Sequence, residues 1–460
     1  MNKIFDPANE CMTRDNLEKL QSERLVKQIE NVYLNVPAYA KKMNDAGIIP
    51  SDIKSIKDLS KLPFTIKQDL KDNYPFGLFA VPKNQIVRLH ASSGTTGKLT
   101  VVGYTKHDLE IWSELMARAY TMAGATKEDI VHISYGYGLF TGGMGAHLGS
   151  EKIGAMTVPI STGNTARQIM LLKDFGATVL CCTPSYAIYI AEELEKLGIK
   201  PGDLALKVGV FGAEPWSEEL RYQIEKRLGI KAFDIYGLSE IMGPGVAMEC
   251  EKKCGLHIQE DHILAEIIDP ETGKVLPDGE QGELVLTTIT KEGIPMIRYR
   301  TRDIASLNHE KCECGRTTVR LNRISARTDD MLIIRGVNVF PSQIETVLLK
   351  YQTELNPQYQ IIVTKNGALD NLEIQVEVSK NFADMMKIEE TQKAKTKILS
   401  DGTVVVEPIE SLIENLKQRL NKDIESMLGI SAKITLLPNE SLPRSEGKAK
   451  RVFDHRNILG

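Results

Sequence analysis

The stretch Ser92-Ser93-Gly94-Thr95-Thr96-Gly97-Lys98 places four hydroxyl side chains and two glycines within seven residues and closes on a lysine. Small residues let a bulky anion approach the backbone, and the hydroxyls, amides and ammonium are all donors. The chemistry this suits is the cradling of phosphates. It is not a Walker loop. Gly94 and Gly97 enclose two residues where that loop has four, and Leu99 stands where it has Ser or Thr.

Further downstream, Phe233-Asp234-Ile235-Tyr236-Gly237-Leu238-Ser239-Glu240 ends an apolar run in an aromatic ring and then a carboxylate. Tyr236 can stack on a purine, and Glu240 offers the hard oxygen that Mg²⁺ prefers among phosphates. Gly212-Ala213-Glu214-Pro215 is another turn after an apolar strand pattern. Tyr299-Arg300-Thr301-Arg302-Asp303 supplies a carboxylate suited to two ribose hydroxyls, although a surface ion pair accounts for it equally well. Arg327-Thr328-Asp329-Asp330 leads to Ile333-Ile334-Arg335-Gly336, and Leu442-Pro443-Arg444-Ser445-Glu446-Gly447-Lys448 sets a lysine on a loop near the C-terminus. Each of these is weak alone, since loop lysines and arginines are ordinarily just solvated.

A second chemistry is carried by cysteine. Cys250, Cys254 and His257 occupy one loop and Cys312-Glu313-Cys314-Gly315 another, enough for a tetrahedral Zn²⁺. The favoured set is Cys250, His257, Cys312 and Cys314, with Cys254 as the alternative ligand and metal-free reduced thiols as the competing reading. A zinc with four protein ligands would be structural.

The elements that must position these residues are legible from periodicity. Residues 14–46 carry a helical pattern and belong to a helical arm over 1–80. From 86 to 240 short apolar runs at Ile130–Ser134, Ala155–Pro159, Thr178–Cys182 and Val208–Phe211 alternate with helical stretches at 107–123, 165–175, 185–197 and 217–228. Such alternation predicts a parallel sheet covered on both faces. Over 250–320 the texture becomes short alternating strands with Asp-Pro-Glu-Thr-Gly and Pro-Asp-Gly turns, an antiparallel, barrel-like subdomain. After 328 a smaller α+β unit follows, with strands at Gln360–Thr364, Leu372–Val378 and Ala432–Leu436 and a helix over 408–428. The fold class is thus α/β, with a large N-terminal domain over 1–328 and a small mobile α+β domain over 329–460.

Length alone, 460 residues, asks for more than one domain. With 57 basic against 61 acidic residues there is no electrostatic case for nucleic acid. No apolar run is long enough for a membrane span, and the start of the chain lacks the apolar core of a secretory signal. Seven cysteines without a regular framework suit a reducing cytoplasm.

Taken together and in order, the hydroxyl-rich loop, Gly-Ala-Glu-Pro, Tyr-Gly-Leu-Ser-Glu, the Arg-Asp pair with its hinge and the final Pro-Arg…Gly-Lys resemble the adenylate-forming superfamily of acyl-coenzyme A synthetases, adenylation domains and luciferases. The resemblance covers the whole chain. More narrowly it is to the phenylacetate–coenzyme A ligase branch, through Gly255-Leu256-His257-Ile258, Glu260-Asp261-His262, Ile297–Asp303 and Ile333–Pro341.

The resemblance implies that ATP and a carboxylate give an acyl-adenylate and pyrophosphate, after which coenzyme A displaces AMP. It implies that Lys448 supplies charge at the α-phosphate, Glu240 holds Mg²⁺, and Ser92–Lys98 cradle the outer phosphates. Tyr236 and Gly212–Pro215 then face adenine, with Asp234, Ile235, Gly237 and Ser239 beside them. Asp303 takes the ribose and Arg327 phosphate or ribose oxygens. Asp329 becomes the hinge, and Gly336 the close approach to coenzyme A.

The acyl pocket is expected from Tyr135-Gly136-Tyr137-Gly138-Leu139-Phe140 with Ala213 and Ile235. It suits an arylacetate, phenylacetate first, with indoleacetate or benzoate types and a carrier-protein acceptor as alternatives. A nucleotide or aryl-acid sensor on the same fold is the non-enzyme alternative. Partners are therefore expected to be small molecules, with no nucleic acid or membrane, and a homodimer is left open.

Overall fold

The computed structural model describes residues 4–92, 99–324, 326–327, 332–335, 337–366, 369–385, 395–398, 404–407, 409–445 and 449–456. Contacts divide the chain into two units, 1–214 with 224–325, and 215–223 with 326–460.

The chain opens with helices α1 (Pro7–Glu10), α2 (Arg14–Asn35) and α3 (Pro37–Asp45). The helical pattern over 14–46 is broken at Val36, whose extended backbone (φ −122°, ψ 97°) precedes Pro37. Proline disfavours helical geometry in the residue before it but fits the first turn of a new helix. After α4 (Lys67–Asp72), strands β1 (Ile86–Ser92) and β2 (Thr100–Thr105) form an antiparallel pair.

Next come α5 (Lys106–Met122), β3 (Ile130–Ile133), α6 (Thr141–Lys152), β4 (Met156–Val158), α7 (Thr165–Asp174), β5 (Val179–Cys182), α8 (Pro184–Lys196), β6 (Val208–Gly212), α9 (Glu218–Leu228) and β7 (Lys231–Leu238). Strands β4, β3, β5, β6 and β7 lie in that order and pair in parallel. Helical crossovers impose this, because a parallel neighbour is reached only by carrying the chain back over a sheet face. Order reverses once: β4 lies on one side of β3 and β5 on the other, leaving a switch point between β3 and β5.

The antiparallel strands are shared between two sheets. β8 (Gly243–Glu249), β9 (Leu256–Ile258), β13 (Leu307–Asn308) and β14 (Arg320–Leu321) extend the parallel sheet beyond β7, in the order β8-β9-β14-β13. β10 (Ile263–Ile268), β11 (Gly282–Thr288) and β12 (Tyr299–Ala305) pair separately as a meander. The short segments Leu256–Ile258 and Arg320–Leu321 are buried on both faces, His257 and Arg320 included, which the large sheet provides and a solvent-facing hairpin does not.

The later elements are β15 (Ala326–Arg327), the hairpin of β16 (Leu332–Ile334) and β17 (Val337–Val339), α10 (Pro341–Leu348), β18 (Leu355–Asn366), β19 (Leu369–Val378), the pair β20 (Lys395–Ile398) and β21 (Val404–Glu407), α11 (Ile409–Leu428), β22 (Lys433–Leu437) and β23 (Val452–Asp454). The main sheet of this unit runs β22-β19-β18-β23. Leu416, Leu420, Ile424 and Leu428 recur every four residues on α11 and join one core with Ile361, Val363, Ile374 and Val376. Among the described residues no helix is long and apolar enough to cross a membrane.

In the first unit α5 and α6 pack unusually close. A Cβ added at Gly149 would lie 2.4 Å from Met116 Cβ and 2.8 Å from its carbonyl carbon. Gly149→Ala gains up to about 1 kcal/mol of helix propensity but forces the helices apart, which costs about 1–3 kcal/mol. The clash should dominate, and urea denaturation should show a net loss of stability.

Candidate functional site at the carboxyl edge of the parallel sheet

Because β3, β5, β6 and β7 are parallel, they all end on one edge, and their loops meet there. Open α/β sheets bind ligands at such edges, above all at a switch point. The loop after β3 is the Tyr135–Phe140 segment, and it lies at the switch. It is fixed by Ser134 N–H on the Cys181 carbonyl (2.8 Å) and by Tyr135 O–H on the Val210 carbonyl (3.4 Å). Gly143 must be glycine, since a Cβ there would be 2.7 Å from the Gly136 carbonyl oxygen.

The end of β1 is tied to the same loop. Ala91 N–H donates to the Leu139 carbonyl (2.8 Å), and His90 Nδ1 lies 3.1 Å from that oxygen. Ser92 therefore enters beside Phe140. Ser93 to Lys98 lie outside the described residues.

At the end of β6, Gly212 pairs with Ile235 of β7, and a Cβ on it would fall 2.2 Å from the Ile235 carbonyl oxygen. Ala213 then takes a left-handed backbone (φ 70°), a strain of order 1–3 kcal/mol for a residue with a Cβ, and turns the chain off the sheet. Ala213 and Pro215 are exposed. The Glu214 carboxylate accepts from Ser185 N–H (2.7 Å) at the first turn of α8, so it has a helix-anchoring task as well.

Along β7, Asp234 N–H donates to Glu249 Oε2 (2.8 Å) and Ile235 is buried. Tyr236 O–H donates to Asp303 Oδ2 (2.5 Å), joining the aromatic residue to the carboxylate expected at the ribose. Gly237 is obligatory, because a Cβ would lie 2.0 Å from the Gly243 carbonyl oxygen. Ser239 Oγ is 3.0 Å from Thr141 Oγ1. The Glu240 carboxylate is 8% exposed and accepts from Tyr299 O–H (3.3 Å).

Of the residues expected at an acyl pocket, Ile235 is buried while Phe140 is 53% exposed. Arg327 falls in β15, but its side chain lies outside the described residues, as do Asp329, Gly336 and Lys448.

Two positioning groups were missed in the sequence. Lys291 is fully buried, and its ammonium donates to the carbonyls of Ile241 (2.6 Å) and Glu240 (3.3 Å) while lying 4.8 Å from the centre of the Tyr104 ring. It clamps the turn that carries Glu240. Burial pushes its pKa down to about 8 against the pull of Asp108 and Glu240. In the second unit Glu377, also fully buried, accepts from Leu442 N–H (2.7 Å), Glu440 N–H (3.0 Å) and both terminal nitrogens of Arg444 (2.7 and 2.9 Å). It anchors the loop that leads to Lys448. No pattern marks either residue, because a charged side chain reads as surface unless its partners are known.

The cysteine cluster lies at the opposite edge. β8 runs antiparallel to β7, so Cys250 after β8 sits where β7 begins. Ligand atoms of Cys250, His257, Cys312 and Cys314 all lie within 4.8 Å of one another. Cys254 is exposed, with its Sγ 3.6 Å from that of Cys312.

The fold and this edge define a class, and the comparisons agree. Residues 20–290 match the model of the AMP-binding enzyme family and residues 336–456 that of the AMP-binding enzyme C-terminal domain. The chain belongs to the AMP-binding enzyme family. Its relatives include the phenylacetate-coenzyme A ligase of Thermus thermophilus, 49% identical over 98% of this chain and 100% of that protein. The phenylacetate-coenzyme A ligase of Escherichia coli is likewise 49% identical, over 100% and 99%. Among solved structures, 2-hydroxyisobutyryl-CoA ligase in its postadenylation state, with 2-HIB-AMP, superposes with a TM-score of 0.87 at 27% identity, covering 98% of this chain and 92% of that one.

Lys291 gives a signature that can be measured. Its folded pKa of about 8 lies below the ordinary 10.5, so between those values the unfolded chain holds a proton that the native one lacks. Stability from this group therefore rises with pH across that window, by roughly 3 kcal/mol. Denaturant titrations at pH 7.5 and 10.5 should show wild type gaining about that much relative to Lys291→Met.

Proposed function

We propose that the protein is an ATP-dependent acid–thiol ligase that activates an arylacetate, phenylacetate first, as its acyl-adenylate and passes the acyl group to coenzyme A. The observation that carries this reading is identity of 49% along the full length with ligases named for that acid. The edge geometry supports it through the meeting of Ser92, Gly212–Ala213, Tyr236–Glu240 and Asp303.

A carboxylate resists nucleophiles because its carbonyl carbon is shielded by delocalised charge. Adenylation replaces one oxygen by a good leaving group, but carboxylate and triphosphate repel each other, so placed positive charge should dominate the first step. In the proposed division of labour, Lys448 faces the α-phosphate and the Ser92–Lys98 loop holds the outer phosphates. The Gly212–Pro215 turn and Tyr236, with Asp234, Ile235, Gly237 and Ser239, bound the adenine. Asp303 and Arg327 bind ribose or phosphate oxygens.

Glu240 fits Mg²⁺ as a nearly buried carboxylate at the same edge. A single protein oxygen suits an ion held mostly by phosphates and water. Such an ion, when bound, offsets phosphate charge. Lys291 keeps the Glu240 turn in place.

The aryl group lies at the switch point, against Tyr135, Phe140, Ala213 and Ile235. Asp329 serves as the pivot that withdraws Lys448 after adenylation and brings Gly336 to the coenzyme A channel, with residues 329–460 acting as the mobile part.

A screen of AMP and thioester formation with free coenzyme A should rank arylacetates above medium-chain fatty acids in kcat/KM. The reverse order would remove the acid assignment while leaving the ligase chemistry.

Lys448→Ala should abolish ATP–pyrophosphate exchange yet still form thioester from supplied aryl-adenylate. Glu377→Ala, which frees the loop before Lys448, should lower the exchange rate by about 10²-fold with the same sparing of the second half-reaction. Equal loss of both half-reactions would contradict the division.

A further inference from the structure

The cysteine cluster has no part in the ligase reading and does not rest on it. Cys250 and Cys312 are buried, with Sγ atoms 3.7 Å apart, and Cys314 Sγ is 3.4 Å from His257 Nε2. Zn²⁺ bonds of about 2.3 Å to sulfur and 2.0–2.1 Å to nitrogen give a tetrahedron with edges of about 3.8 Å between thiolates and 3.5 Å between thiolate and imidazole. The Cys250–Cys312 and Cys314–His257 separations lie close to those edges, and all four ligand atoms fall within 4.8 Å of one another. The distance between the two sulfurs is far longer than the roughly 2.0 Å of a sulfur–sulfur bond.

We infer that Cys250, His257 Nε2, Cys312 and Cys314 hold one structural Zn²⁺, and that this centre fastens the N-terminal segment to the sheet. The surrounding groups are arranged for it. His257, fully buried, has Nδ1 3.0 Å from Thr318 Oγ1, which orients the ring and leaves Nε2 for the metal. Binding releases the three thiol protons to solvent and leaves one net negative charge on the centre. The guanidinium of Arg316, buried and 3.8 Å from Cys314 Sγ, faces that charge.

The other side of Arg316 donates to the buried Glu10 carboxylate at the end of α1, and Thr317 N–H donates to the Glu10 carbonyl (3.1 Å). Thr317 O–H reaches the Met12 carbonyl (2.5 Å). The segment after the Cys312–Cys314 loop therefore carries both the metal's outer partners and the attachment of Glu10 and Met12. All four metal positions are filled by side chains, so the ion has no open site for catalysis. Cys254 Sγ also lies 3.6 Å from Cys312 Sγ, but this residue is exposed and stands outside the set whose four ligand atoms all lie within 4.8 Å of one another, so it is left out of the proposed ligands.

Elemental analysis of full-length protein purified without chelators from zinc-containing medium should find one zinc per chain. Metal-stripped protein given Co²⁺ should develop the visible bands and thiolate charge-transfer absorption of a tetrahedral sulfur-rich site. Cys254→Ser should keep the zinc, and Cys312→Ser should lose it. Should Cys312→Ser fail to fold, titration of folded wild type with an organomercurial should release the zinc as the ligand thiols are blocked. Hydrogen exchange at residues 7–12 should rise on metal removal while exchange in α11 is unchanged.

Wild type that neither contains zinc nor gains these cobalt bands, or a site lost in Cys254→Ser but retained in Cys312→Ser, overturns the assignment. Unchanged exchange at 7–12 overturns the fastening role. A ligase assay on the same preparations reports separately on the ligase reading.

Discussion

Parallel strands joined through helices must all end on the same edge of their sheet, and the arrangement of this protein's candidate site residues follows from that constraint. β3, β5, β6 and β7 deliver the aromatic loop, the start of α8, the Gly-Ala-Glu-Pro turn and the Glu240 turn to one line. The backbone approach there is close enough that Gly212 and Gly237 admit no side chain. The glycines of these motifs therefore serve sheet contact before they serve any ligand. The chain can swing away only where Ala213 accepts a left-handed backbone.

That edge is held from behind by buried ionic groups that touch main chain. Lys291 grips two carbonyls of the Glu240 turn. Asp108, fully buried, accepts from the N–H groups of Thr105, Glu292 and Gly293 and so binds the start of α5 to the segment that carries Lys291. Helix α2 reaches the same place, with Gln28 Nε2 donating to the Lys291 carbonyl (2.6 Å). Each charge is expensive to bury alone and tolerable because its partners are fixed. The result is a carboxylate, Glu240, whose position depends on residues distant in sequence. A helical arm that reads as peripheral is thus part of the support.

The opposite edge follows a different logic. There β8 and β9 reverse direction, and cysteines from two loops meet a histidine whose second nitrogen is already engaged by Thr318. The two edges differ in character. One presents turns, strained backbone and half-exposed aromatic side chains, as a binding edge must. At the other, Cys250, His257 and Cys312 are buried together.

The apolar runs at 130–134, 155–159, 178–182 and 208–211 were enough to place a parallel sheet, because strands buried on both faces read as continuous apolar runs. The repeat at Leu416, Leu420, Ile424 and Leu428 likewise gave the covering helix of the second unit. The order of the hydroxyl-rich loop, Tyr236–Glu240 and Asp303 was also enough to suggest a nucleotide.

Other features depended on folding. The antiparallel segments were divided between two sheets, since pairing is chosen by burial across the fold and not by local alternation. The hydrogen bond from Tyr236 to Asp303 joins residues 67 positions apart. Lys291 and Glu377 became interior groups. Cys250, His257, Cys312 and Cys314, the set favoured from the sequence, had their ligand atoms brought within 4.8 Å of one another only by the fold. Periodicity reports what a residue prefers on average, whereas burial of a charge or closure of a metal site is decided by partners that the chain assembles only when folded.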